Sequence, residues 1–226
     1  ADYAATARQA AAEGAVLLRN YRHALPLEEG CRVAVFGRNQ LHYYRCGIGS
    51  GGMVNSAYVV SILDALKADS DIVLNQAVLS AYEAWHEAHP LEGCNEWGEE
   101  PWSQAEMPLP EALVQQAAKT SDAALICIGR TAGEDHDSSA APGSFLLTEE
   151  EERTIRLVCR YFPRSIVVLN TAGIIDMTWV KRCNPAAILY VWHGGQEGGN
   201  GAADVLTGRV NPCGKLPDTI AEQLSD

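Results

Sequence analysis

The sequence predicts an α/β protein, a three-layer α/β/α sandwich around a largely parallel sheet of about five or six strands. Two observations carry this. Five short apolar runs, at residues 32–36, 71–75, 123–128, 165–170 and 186–191, alternate with segments of helical periodicity. The runs at 123–128 and 165–170 show no in–out alternation, the pattern of strands buried on both faces. The 226 residues are enough for a substantial core, and the whole of 1–226 reads as one domain.

Taken in order, residues 2–20 have an alanine-rich helical pattern in which Ala12, Val16 and Leu17 share a face, with Asn20 as a stop. Leu25-Pro26-Leu27 is an extended exit into the first strand, which Gly37 closes. Ser56 is the expected N-cap of a helix through Tyr58, Ile62, Leu63 and Leu66. A strand at 71–75 and a helix at 77–89 follow. His86 and His89 lie one turn apart on that helix, and an exposed face is the expected setting. Residues 90–108 form a polar loop too long for a mere connection. It carries Trp97 and Trp102, which could stack on sugar rings or pack onto the domain. A helix at 109–119 feeds the strand at 123. Thr148 before Glu149, Glu150 and Glu151 is a strong helix start, with carboxylates on the positive end of the dipole. The strand at 165–170, a short helix at 177–182, the strand at 186–191 and an alanine-rich helix to Leu206 complete the alternation.

Composition narrows the function. Seventeen Lys and Arg against 29 Asp and Glu give a net charge of −12. With no basic cluster, neither nucleic acid nor an anionic membrane surface is an expected partner. No apolar run approaches the roughly 18–20 residues of a membrane span, and no leader peptide is evident, so a cytoplasmic location is expected. The seven cysteines contain no C-x-x-C pair, which argues against zinc-ribbon and thioredoxin sites. Cys127 and Cys159 fall on apolar phases, and reduced thiols are expected. Neither a metal nor a cofactor is expected.

The stretch 121–137, S-D-A-A-L-I-C-I-G-R-T-A-G-E-D-H-D, organises the chain. It places Arg130, Glu134, Asp135, His136 and Asp137 just past a strand's carboxyl end, where open α/β sheets bind ligands. Residues 47–52 match G-x-G-x-x-G, but about ten residues separate Gly37 from Gly47. A pyrophosphate needs these glycines directly between strand and helix, and a P-loop lysine is also missing, so a Rossmann-like nucleotide-binding reading ranks low. His193-Gly194-Gly195 resembles an oxyanion loop of lipase-like hydrolases, but no G-x-S-x-G elbow accompanies it.

Several stretches together resemble the α/β sandwich (C-terminal-type) domain of glycoside hydrolase family 3, the β-glucosidase-like enzymes. They are A-A-A-E-G-A-V-L-L-R-N at 10–20, L-P-L at 25–27, V-A-V-F-G at 33–37 and G-S-G-G-M-V-N at 49–55. I-G-R-T-A-G-E-D-H-D at 128–137, G-G-Q-E-G-G-N at 194–200, A-D-V-L-T-G at 203–208 and N-P-C-G-K-L-P at 211–217 complete the set, in the family's order. The resemblance implies a retaining hydrolase of O-glycosyl bonds. Its nucleophile is an aspartate on a separate (β/α)8 barrel, and its acid/base is a glutamate in a G-E motif of this domain. The matching residue is Glu134. Arg130, His136 and Asp137 are the expected substrate-binding neighbours, and negative charge from Asp135 and Asp137 would favour the protonated form an acid needs. Ser138 stands where many members have arginine. A barrel takes roughly 200 residues or more. The chain is therefore expected to be one domain of a longer enzyme, preceding its barrel and acting on a β-glucoside or oligosaccharide. The other reading is a non-catalytic carbohydrate-binding or docking module.

Overall fold

The computed structural model describes residues 2–221 except 51, 53, 95–98 and 135. All five apolar runs form strands. These are β2 (Cys31–Phe36), β3 (Ile72–Leu74), β4 (Ala123–Arg130), β5 (Ser165–Thr171) and β6 (Ala187–Tyr190). They pair in parallel, and a sixth strand, β1 (Val16–Asn20), closes the sheet in the order β1-β6-β5-β4-β2-β3. Every residue of β4 and β5 is buried, which is why these two central strands read as unbroken apolar runs.

Parallel neighbours need crossovers, and the helices supply them on both faces. Helices α1 (Tyr3–Gly14), α2 (Ile62–Ala68) and α7 (Gly198–Leu206) cover one face. They pack on Val33, Val35, Leu125, Cys127, Ile166 and Val168. Helices α3 (Gln76–Ala88), α4 (Glu111–Thr120), α5 (Glu149–Tyr161) and α6 (Trp179–Cys183) cover the other. They meet the alternate residues, Ala34, Phe36, Ala124, Ile126, Val167 and Leu169. Each fully buried aliphatic side chain contributes about 1.5–3 kcal/mol, so these two layers are the main source of stability. The three-layer sandwich with a largely parallel sheet is the predicted fold class.

Two elements differ from the sequence reading. The helix expected to reach Asn20 stops at Gly14, and 16–20 becomes β1, antiparallel to β6 with Val16 opposite Tyr190 and Asn20 opposite Ala187. The free edge of β6 offers unpaired backbone groups, and filling them outweighs the local helical pattern. The second helix is capped by Ser61, not Ser56. Ser61 Oγ accepts from Asp64 N at 3.0 Å while Asp64 accepts from Ser61 N, a full capping box. Upstream, Val60 N donates to Gln196 O, and Gly199 N donates to Val60 O. A Cβ on Gly199 would lie 2.2 Å from Ser61 O, so glycine there is what lets this extended segment meet α7. The start of α5 is as read from sequence, with Thr148 and Glu151 forming the capping box.

Candidate active site

The loops following β2, β4, β5 and β6 gather at the carboxyl edge of the sheet. Asn170, fully buried near the end of β5, ties the loops after β2 and β6 to its own strand. Its Oδ1 accepts from Tyr44 N (2.8 Å) and Asn39 Nδ2 (3.1 Å). Its Nδ2 donates to Tyr44 O (3.0 Å) and Trp192 O (2.5 Å). The amide's four bonding positions are thus all used, which is what lets a polar side chain sit in this interior. His193 adds a second tie, its Nε2 2.7 Å from Arg130 O. That carbonyl accepts, so Nε2 carries the proton, and burial pushes the imidazole's pKa below its usual range. The His-Gly-Gly stretch therefore fastens loops.

Arg130 corrects one expectation. It is 2% exposed, and its side chain forms a bidentate ion pair with Glu151, at 2.6 and 2.7 Å. Nε donates to Ser144 O, Nη1 also to Gly129 O, and Nη2 also to Leu146 O. All five N–H groups of the guanidinium are engaged within the protein. No donor remains for a sugar, and the residue acts by clamping the acidic loop to the first turn of α5.

Glu134 stands on the tight turn that follows, at the exposed end of the loop. Ser50 Oγ donates to its Oε2 at 2.6 Å. The glycine-rich loop lies backbone to backbone beneath it. Ile48 N donates to Ala132 O at 2.5 Å, and Ile48 pairs in parallel with Gly133. Gly49 has φ +95°, and a Cβ there would lie 3.2 Å from Glu134 Cβ. A Cβ on Gly47 would lie 2.4 Å from Ala132 O. The glycines of the G-x-G-x-x-G match thus permit close packing against the acidic loop. Gly51 lies outside the described residues, as do Trp97 and Asp135.

His136 is half-buried, its ring centroid 5.1 Å from that of Trp102, and Asp137 is exposed. Trp102 O accepts from Thr131 N at 2.9 Å, so the tryptophan loop is fixed to the strand end. Trp102 also borders a largely apolar cleft of about 340 Å3, with Ala132, Ser138, Ile175 and Trp192 on its other sides. Of these, the sequence singles out Trp102, and Trp192 directly precedes the His193-Gly194-Gly195 stretch. Sequence reasoning misses Ile175, Ala132 and Trp192, whose only signal is that each is an apolar residue just beyond a strand end. The volume is within the range of small-molecule sites.

A braced, solvent-facing carboxylate and a largely apolar cleft thus both lie at the carboxyl edge of the parallel sheet of an α/β sandwich, the edge at which open sheets of this class bind ligands. Residues 15–226 match the family model for the glycosyl hydrolase family 3 C-terminal domain, and the chain belongs to that family. It is 48% identical to a β-glucosidase of Ruminococcus albus, over 100% of this chain and 24% of that protein. Its fold superimposes with a TM-score of 0.96 on the crystal structure of a β-glucosidase from Paenibacillus barengoltzii, at 45% identity, over 100% of this chain and 25% of that one. For β-glucosidase 3B of Thermotoga neapolitana in complex with glucose the TM-score is 0.87, at 35% identity, over 99% of this chain and 31% of that one. The chain spans about a quarter of the length of the curated relatives it matches. Among the described residues no helix is long and apolar enough to cross a membrane.

Proposed function

We propose that this domain supplies the general acid/base, Glu134, and one wall of the sugar cleft to a retaining β-glucosidase-like active site. The aspartate nucleophile comes from a (β/α)8 barrel of the same polypeptide, and the substrate is a β-glucoside or oligosaccharide. The observation that carries this reading is Glu134 itself, exposed at a strand's carboxyl end yet held by Ser50 and by the backbone of the glycine loop. A retaining hydrolase needs two carboxyl groups about 5–5.5 Å apart, so an acid on one domain must be fixed rigidly to meet a nucleophile on another. In the first step the acid protonates the leaving oxygen while the nucleophile attacks the anomeric carbon. In the second step its carboxylate takes a proton from the water that attacks the glycosyl–enzyme bond. Asp137 and His136 flank Glu134 and are proposed to contact the sugar or aglycone.

Two outcomes are expected. The purified 226-residue chain should fold but not turn over an aryl β-glucoside, because a general acid without a nucleophile has nothing oriented to act on. Turnover by the chain alone that vanishes in Glu134→Gln would place a complete active site here and overturn the two-domain reading. The second concerns the brace. In a polypeptide joining this chain to its barrel, Gly49→Val puts a β-branched residue at φ +95° against Glu134. An acid displaced by about 1 Å loses on the order of 10²-fold in rate, so kcat should fall by about that much while folding is retained. Unchanged kcat would show that the glycine loop does not position Glu134. Binding of NAD or ATP that this substitution abolishes would favour the nucleotide reading instead.

A further inference from the structure

The connection between α3 and α4 has no regular secondary structure among its described residues. Near its start, Cys94 and Glu100 meet His42, which comes from the loop after β2. His42 Nε2 lies 2.8 Å from Glu100 Oε1, though the two residues are 58 apart in sequence. Cys94 Sγ lies 3.3 Å from the same oxygen, and the three donor atoms all fall within 4.8 Å of one another. We propose that His42, Cys94 and Glu100 form a binding site for a zinc ion.

The donor set is the first argument. Imidazole nitrogen, thiolate sulfur and carboxylate oxygen are the ligands Zn²⁺ takes, at about 2.0–2.3 Å. A tetrahedron with such bonds has edges of about 3.3–3.8 Å. The observed separations bracket that range, so sub-ångström shifts bring all three atoms onto one ion. Hard cations such as Ca²⁺ and Mg²⁺ prefer oxygen ligands throughout, and the sulfur and nitrogen here select against them. Three protein ligands leave a fourth position for water, and Cys94 is exposed, which provides the entry path.

The second argument is the support around the cluster. Gln104, 9% exposed, accepts from Glu92 N (2.9 Å) and donates to Glu92 O (2.8 Å), fixing the turn that carries Cys94. The His42 ring packs edge-on against Tyr44 at 4.8 Å, which orients its Nε2. Arg38, the cation beside the cluster, is turned to the carbonyls of His89 and Ala105. The chain's net charge of −12 favours a cation generally. Spacing motifs could not reveal the site, because its histidine and its cysteine come from different loops. Bound zinc would staple the long loop to the sheet's edge, and that loop carries Trp102, which contacts Thr131 and His136 next to Glu134. On binding, the thiol proton leaves to solvent and the sulfur takes the metal.

The test is titration of the protein with ZnCl2 against a competing chromophoric chelator, with Co²⁺ as a spectroscopic substitute. One Zn²⁺ per chain is expected, and Co²⁺ should give a thiolate charge-transfer band. Cys94→Ser and Glu100→Gln should each weaken binding by more than about 100-fold, beyond the 10–100-fold typical of losing an outer-shell contact. Cys213→Ser, at an exposed cysteine elsewhere, should change nothing. Thermal unfolding of the metal-free variants, which should match the wild type, separates lost binding from lost folding. Absence of stoichiometric zinc, or zinc binding that survives Cys94→Ser, would overturn the proposal and leave the trio as a hydrogen-bonded cluster.

Discussion

Glu134→Gln, made in the polypeptide that joins this domain to its barrel, is expected to slow hydrolysis of alkyl β-glucosides by about 10²–10⁴-fold, the usual worth of a general acid. Glutamine keeps the shape and can still accept the hydrogen bond that Ser50 gives to Oε2. The brace should therefore survive, and the loss should be chemical. An alkoxide is a poor leaving group and needs its proton in the transition state. A dinitrophenolate does not, so dinitrophenyl β-glucoside should lose far less in its first step. Comparing kcat/KM for the two substrates reads that difference directly. Equal losses would mean that Glu134 affects binding or folding, and the assignment would fail.

Glu151→Met should be the most damaging single change to stability, at about 3–5 kcal/mol. It leaves the Arg130 guanidinium, 2% exposed, without its counter-charge in a low-dielectric interior. For a domain of this size each kcal/mol shifts the midpoint by about 2–4 °C, so calorimetry should show a fall of roughly 6–20 °C. Replacing both partners is a different matter. Arg130→Met with Glu151→Met removes both buried charges and should cost less than Glu151→Met alone, although three carbonyls lose their donor. A loss below about 1 kcal/mol for Glu151→Met, the level of a surface pair, would show that the clamp is not buried in solution.

Much of this architecture was legible because it is local. The unbroken apolar runs of β4 and β5, the box at Thr148 and Glu151, and the gap before Gly47 each carry a physical signal within a few residues. What escaped was decided by distant partners. Residues 16–20 hold Val and Leu at positions that suit a helix face, and only the open edge of β6 makes them a strand. Ser56 and Ser61 are equal as caps by residue type, and Asp64 three places on is what distinguishes Ser61. Arg130 looks from sequence like a loop cation, because its counter-charge sits 21 residues away within a row of glutamates. Glu151 was visible as a capping residue, and its ion pair was not. The position of Glu134 at a strand end followed from pattern, whereas its assignment as acid/base came from the family resemblance and rests now on the proposal above.

That proposal, that this domain carries the acid/base of a retaining hydrolase, is tested most directly by the product that Glu134→Ala forms in azide. Removing the acid/base leaves a glycosyl–enzyme ester that water attacks slowly, since no base activates it. Azide needs no base. It attacks the anomeric carbon, a C–N bond forms, and the C–O bond to the nucleophilic aspartate breaks. With an activated aryl β-glucoside as substrate, the account predicts that turnover rises with azide concentration and that the product is β-glucosyl azide, with retained configuration. A rate indifferent to azide, or α-glucosyl azide as product, would contradict it.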